Sequence, residues 1–148
     1  MEITDNHFHL DPRGQQELAV KDFLKAGGTR LVLVNKPYDL WKRLDGFEKQ
    51  VNTTMKLAKK AREAGAKVAV VASPHPIDLL KLLEFKNEEE ASEIYIKAVD
   101  FCTNLVNENK IVGLGELGRP HFEVEERVWR LSNRVLCESL MRAREVDA

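Results

Sequence analysis

Two histidines near the amino terminus are spaced for metal binding. They lie in the segment DNHFHLD (residues 5–11), which follows a short run, residues 2–6, that we interpret as a first strand. Residues i and i+2 of an extended segment project to the same face, so His7 and His9 converge on one point. Imidazole is the commonest metal ligand in proteins. The alternative interpretation is that both histidines are hydrogen-bonded surface residues that bind no metal. The pair therefore marks a candidate metal site at a strand end.

A carboxylate ends the fourth apolar run of the chain. Glu116 closes IVGLGE (residues 111–116). Burying a carboxylate without compensation is costly, so we expect a metal, an arginine or a backbone cap to satisfy it. The glycines around it do not have the GxGxxG spacing of a dinucleotide site. Beyond Pro120, His121 faces either a substrate or solvent.

A third histidine stands between two prolines in SPHP (residues 73–76). Prolines stiffen the backbone on both sides of His75. Rigid placement suits a site residue, and the alternative is that His75 caps the following helix. Lys36, after the second apolar run, is either a solvated lysine or an anion-binding residue.

The elements that must position these residues alternate along the chain. Predicted strands cover residues 2–6, 30–35, 67–73 and 111–116. Predicted helices cover residues 15–26, 45–64, 76–85, 88–109 and 124–146. The last three strands are apolar almost throughout, which is typical of parallel strands covered on both faces. We therefore predict an α/β fold of about four parallel βα units, either a closed barrel or an open doubly wound sheet.

Composition narrows the class of protein. The 148 residues, 43% hydrophobic and 32% charged, fit one domain over residues 1–148. The formal net charge of −1 provides no overall positive field for nucleic acid. We find no leader and no apolar run long enough for a membrane span, so we expect a cytoplasmic protein without membrane contact. Cys102 and Cys137 show no pairing motif and are expected to be buried thiols.

The motifs DNHFHLD, SPHP and GELGRPHF together resemble those of the TatD family of metal-dependent hydrolases in the amidohydrolase superfamily, in order and in spacing. The resemblance implies a TIM barrel with its site at the carboxyl ends of the strands. It also implies that His7 and His9 bind one metal, that Glu116 is a catalytic carboxylate bridging two metals, and that His75 lines the substrate side.

The implied cofactor is a divalent metal, Zn²⁺ foremost, with Mg²⁺, Mn²⁺ and Ni²⁺ as alternatives. The implied reaction is attack of metal-activated water on a phosphodiester, as in a DNase, or on an amide-like bond of a small molecule. Arg119 and His121 are the further candidate substrate-binding residues. Arg119 and Pro120 replace the Leu-Asp usual in the family, which leaves the family's substrate preference open.

The chain corresponds to the first half of a barrel of about 250 residues. Four parallel strands leave an open edge that invites pairing with another chain. We therefore expect a homo-oligomer formed through this edge. The alternative function is a catalytically inactive half-barrel that serves as an oligomerisation or partner-binding module.

Overall fold

The computed structural model describes residues 2–147 and contains a parallel sheet in the order β1-β2-β3. The strands are β1 (Thr4–Phe8), β2 (Arg30–Val34) and β3 (Lys67–Val71). The helices are α1 (Glu17–Lys25), α2 (Leu44–Glu63), α3 (Pro76–Leu83), α4 (Glu88–Asn107) and α5 (Glu126–Glu145). Parallel pairing of all three strands confirms the predicted α/β class with repeated βα units.

Glycines end the first two helices where the sequence predicts it. Gly27 after α1 and Gly65 after α2 both adopt a left-handed conformation, with φ of 94° and 107°. This conformation is strained for other residues and commonly terminates a helix. The chain then turns into β2 and β3, so each helix crosses from one strand to its parallel neighbour.

Helices cover one face of the sheet closely. Leu31, Leu33 and Val70 are buried on the face against which α2 packs. Val32 and Ala69 lie on the opposite face and are only half-buried. The apolar sequences of the strands predicted a sheet that is covered on both faces. Within residues 2–147, helices cover only one face of the sheet.

The fourth predicted strand is reduced to a single bridge. Val71 pairs with Gly113, supported by hydrogen bonds from Val112 N to the Val70 carbonyl (2.8 Å) and from Ala72 N to the Gly113 carbonyl (3.3 Å). Two glycines in this segment disfavour an extended ladder, and no strand pairs with its outer side within the described residues. The prediction of a strand over residues 111–116 is therefore wrong in extent, although the segment lies beside β3 as expected.

The first strand also differs from its predicted bounds. It begins at Thr4 and includes His7, so the histidine pair straddles its end instead of following it. The register with β2 shifts between Asp5 and Phe8, which is the signature of a bulge. The bulge redirects the end of β1 at the point where the histidines emerge.

The two cysteines lie in different environments. Cys102 is fully buried on α4, and burial raises the pKa of its thiol. Cys137 on α5 is exposed, which corrects the prediction that both thiols are buried. Among residues 2–147, no helix has the length and apolarity that crossing a bilayer requires.

Candidate metal centre

Three predicted ligands meet at the carboxyl ends of the strands. The Nε2 atom of His7 lies 3.1 Å from Nε2 of His9 and 3.1 Å from Oε1 of Glu116. One ligand atom from each of the three side chains lies within 4.8 Å of the others. The bulged end of β1 supplies both imidazoles, and the segment bridged to β3 supplies the carboxylate. The structure thus brings together the three residues that the sequence predicts as metal ligands.

A backbone carbonyl fixes the orientation of the second imidazole. Nδ1 of His9 lies 3.1 Å from the carbonyl oxygen of Val34, the last residue of β2. Because a carbonyl only accepts hydrogen bonds, Nδ1 carries the ring proton and Nε2 presents its lone pair. A metal-binding histidine typically has such a partner on its other nitrogen. The carbonyl therefore prepares His9 as an Nε2 ligand.

His75 caps the following helix, which is one of the two interpretations that the sequence left open. Its Nδ1 accepts a hydrogen bond from the backbone N–H of Ile77 (3.1 Å), and the backbone N–H of His75 donates to the Asp78 carboxylate (3.0 Å), which forms a capping box at the start of α3. The proton of the neutral ring therefore lies on Nε2. That nitrogen lies 3.4 Å from Oε2 of Glu116. His75 thus caps the helix and also faces the carboxylate of the site.

The donor set fits a divalent transition metal. Two ligand atoms bound to a tetrahedral Zn²⁺ at about 2.0–2.1 Å lie about 3.3 Å apart. The separations from His7 to His9 and from His7 to Glu116 are both 3.1 Å, and the separation from His9 to Glu116 is within 4.8 Å, so binding one ion requires these two side chains to move closer together. Two imidazoles with one carboxylate form a donor set found in zinc hydrolases, in which a fourth position stays open. His7 and His9 are exposed and Glu116 is half-buried, so a substrate has access.

Two other predicted site residues make contacts elsewhere. The guanidinium of Arg119 donates a hydrogen bond to Asn133 (3.0 Å) and stacks over the ring of Trp129, both on α5. His121 packs edge-on against Phe122. Neither has a contact with the three ligands among residues 2–147, and both remain predictions as substrate-binding residues.

Lys36 forms an ion pair instead of standing free. Its ammonium lies 3.0 Å from the carboxylate of Asp11, the last residue of the DNHFHLD motif. The backbone N–H of Arg13 and the Lys36 ammonium both donate to this carboxylate and lower the pKa of Asp11. The pair joins the loop after β1 to the loop after β2.

Buried polar side chains beneath the ligands were missed by the sequence reasoning. They are Asn35 after β2, Tyr38 in the next loop, Thr54 on α2 and Ser73 after β3. One signal was present: Asn35 and Ser73 each directly end an apolar run. Thr54 offered none, because it sits at helical spacing among apolar residues of the buried face of α2.

The chain matches the TatD-related DNase family over residues 4–148. It belongs to this family. An uncharacterized protein of Methanocaldococcus jannaschii is 33% identical over 151 aligned residues, which cover 97% of this chain and 51% of that protein. The chain thus spans about half the length of this curated relative. No solved structure matches it.

Membership of the TatD family indicates to which fold the βα units belong. The family is one of metal-dependent hydrolases with a TIM-barrel fold, and residues 2–147 form part of such a series of parallel βα units. TIM barrels carry their sites at the carboxyl ends of the strands. His7, His9 and Glu116 occupy that position in this chain.

Proposed function

We propose that this chain is a metal-dependent phosphodiester hydrolase in which His7, His9 and Glu116 hold a Zn²⁺ ion. The observation that carries the proposal is the meeting of three ligand atoms within 4.8 Å at a strand-end edge. The Val34 carbonyl supports it, because this group holds His9 ready to bind through Nε2. Mg²⁺, Mn²⁺ and Ni²⁺ are the alternative ions.

A divalent ion at this site would activate water and polarise the bond to be cleaved. The two carboxylate oxygens of Glu116 face different histidines: Oε1 faces His7 and Oε2 faces His75. Nε2 of His75, which carries the ring proton, lies 3.4 Å from that second oxygen. The exposed imidazole of His7 leaves the site open on its solvent side.

The proposed substrate is a DNA phosphodiester, with an amide-like bond in a small molecule as the alternative. We assign Arg119 and His121 to substrate binding together with His75. A guanidinium matches the geometry of phosphate oxygens, and Arg119 is exposed while its stack on Trp129 restricts its motion. The name of the family supports DNA as the substrate.

The test is hydrolysis by the metal-free chain after addition of each divalent ion. Bis(p-nitrophenyl) phosphate and a p-nitroanilide serve as phosphodiester and amide substrates. We expect phosphodiester cleavage that needs added metal and disappears with a chelator or in Glu116→Gln. Glu2→Gln is the control for the change of charge. It makes the same substitution at an exposed glutamate near the amino ends of the strands. A folded chain that cleaves neither substrate with any ion would overturn the proposal.

A second candidate function is association through the open edge. Val112 on the bridged segment is 63% exposed, and Leu140 and Met141 on α5 are 52% and 62% exposed. Val112 lies on the segment whose outer side no strand pairs with among residues 2–147, and an unpaired edge of this kind invites pairing with another chain. A second copy of the chain would bring another set of βα units to this edge, in a homo-oligomer.

Light scattering tests the association directly. We expect a dimer mass at micromolar concentration for the parent and a monomer for Val112→Lys, because a charged edge residue disfavours strand pairing. Lys110→Glu, an exposed change two residues away, is the control for altered charge. A monodisperse monomeric parent would contradict the association.

A further inference from the structure

A line of buried polar contacts runs from the loop that carries His9 to the segment that carries Glu116. The hydroxyl of Tyr38 donates its one proton to the Leu10 carbonyl (2.9 Å), and its oxygen lies in contact with Oγ1 of Thr54 at 3.1 Å without a proton between them. Thr54 in turn donates to Oδ1 of Asn35 (2.9 Å). The line starts in the loop that carries His9 and passes through α2 to the end of β2.

The second half of the line reaches the carboxylate segment. The Asn35 amide donates to the Ser73 carbonyl (3.5 Å), and the Ser73 hydroxyl donates to the backbone carbonyl of Glu116 (2.8 Å). These four polar side chains are all buried, with at most 8% exposed. Buried polar groups are expensive to leave unpaired, so each holds its neighbour in place.

The line joins the chain segments that supply the ligands. It contacts Leu10 directly after His9, Asn35 directly after β2, Ser73 two residues after β3, and Glu116 itself. Among residues 2–147, the bridge at Val71 and Gly113 is the one backbone pairing that ties the segment of Glu116 to the sheet. The Ser73 hydroxyl is therefore a principal restraint on where the Glu116 carboxylate lies relative to the histidines.

From this geometry we propose that Ser73, Asn35, Thr54 and Tyr38 form a positioning network that sets the metal affinity of the site. Their hydrogen bonds reach the backbone carbonyls of Leu10 and Glu116, so they act through these two segments. Removing one hydroxyl loosens one ligand segment against the other. The proposal rests on the proposed metal function and adds the residues that determine its affinity.

The chain contains matched controls for each substitution. Ser139 on α5 is as buried as Ser73, and its hydroxyl also donates to a backbone carbonyl at 2.8 Å. Thr103 on α4 is buried and donates to the Asp100 carbonyl at 2.8 Å, as a counterpart of Thr54. Ser139→Ala and Thr103→Val therefore remove comparable buried hydrogen bonds outside the network.

The first arm of the test is Zn²⁺ titration by calorimetry. We expect Ser73→Ala and Thr54→Val each to weaken Zn²⁺ binding about tenfold or more, as loss of outer-shell partners does. Thr54→Ser restores the hydroxyl and should restore affinity, while Ser139→Ala and Thr103→Val should bind Zn²⁺ as the parent does. Equal affinities for Ser73→Ala and Ser139→Ala would overturn the proposal.

The second arm uses hydrogen exchange in the metal-free chain, so it does not depend on metal binding. We expect faster exchange at residues 9–11 and 114–117 in Ser73→Ala than in the parent, with no change there in Ser139→Ala. Unchanged exchange in Ser73→Ala would overturn the positioning role. A parent that binds no Zn²⁺ would overturn the metal function alone, because exchange still decides the role of the network.

Discussion

The two ends of the sheet are both polar, but they hold their polar groups in different ways. At the amino ends of the strands, the carboxylate of Glu2 lies 2.6 Å from Arg30 and 2.9 Å from Lys67, and all three side chains are exposed. At the carboxyl ends, neutral side chains such as Asn35 and Thr54 are buried and hydrogen-bonded to one another.

This difference distinguishes polar groups that have a small effect on stability from polar groups that we propose to support function. Exposed ion pairs contribute little to stability, so the amino end tolerates change. Buried polar groups contribute only when every partner is present, and a fold retains them where they fix something in place. In this chain they contact the backbone of Leu10, next to His9, and of Glu116, which supports the proposal that the functional site lies at the carboxyl ends of the strands.

The largest contrast between the two ends should appear when a glutamate at each end is replaced by glutamine. Glu116→Gln should weaken Zn²⁺ binding by more than about 100-fold, because loss of a ligand exceeds the 10–100-fold cost of an outer-shell partner. Glu2→Gln should leave the affinity unchanged. Calorimetric titration of both variants measures the contrast, and equal affinities would remove the functional distinction.

A smaller contrast should appear in stability when a threonine at each end is replaced by valine. Thr54→Val leaves the buried Oδ1 of Asn35 without its donor, so we expect a loss of about 1–3 kcal/mol in unfolding free energy. Thr29 also bonds to backbone, at Ile3, but is accessible to water. Thr29→Val should cost no more than about 0.5 kcal/mol. Urea denaturation measures both, and a larger loss for Thr29→Val would contradict the account.

The smallest effect should be on the pH dependence of stability that arises from Glu2 at the amino ends of the strands. Hydrogen bonds from Lys67 and Arg30 hold the pKa of Glu2 below its usual 4.5 in the folded chain. The charged form is thus favoured by folding, and its contribution is present above pH 4.5 and lost as pH falls through the lower folded value. Denaturation at pH 7 and pH 3 should show a smaller advantage of the parent over Glu2→Gln at pH 3 than at pH 7. An advantage that is undiminished at pH 3 would contradict this assignment.

The proximity of His7, His9 and Glu116 could be predicted from the sequence because it follows from local geometry and strand order. Alternate residues of an extended segment share a face, so His7 and His9 had to converge wherever the strand ended. The placement of Glu116 followed from the parallel βα order, which gathers strand ends at one edge. The bulge in β1 moved the boundary of the strand without separating the pair.

The rest depended on tertiary contacts that a single sequence does not reveal. Thr54 reads as one more position on the buried face of α2, and only the fold shows its hydrogen bond to Asn35. Arg119 follows the carboxylate in sequence, yet its guanidinium lies over Trp129 of α5. The apolar run at residues 111–116 predicted a strand, but pairing also requires a neighbour, and the described residues supply one on only one side.

The most direct test of the account is metal content by plasma mass spectrometry. The parent, His7→Ala/His9→Ala and His121→Ala should be purified without chelator and compared at equal concentration. The account predicts about one transition-metal ion per chain in the parent and in His121→Ala, and none in the double variant. A parent without bound metal, or a double variant that keeps it, would contradict the assignment of the metal to His7, His9 and Glu116.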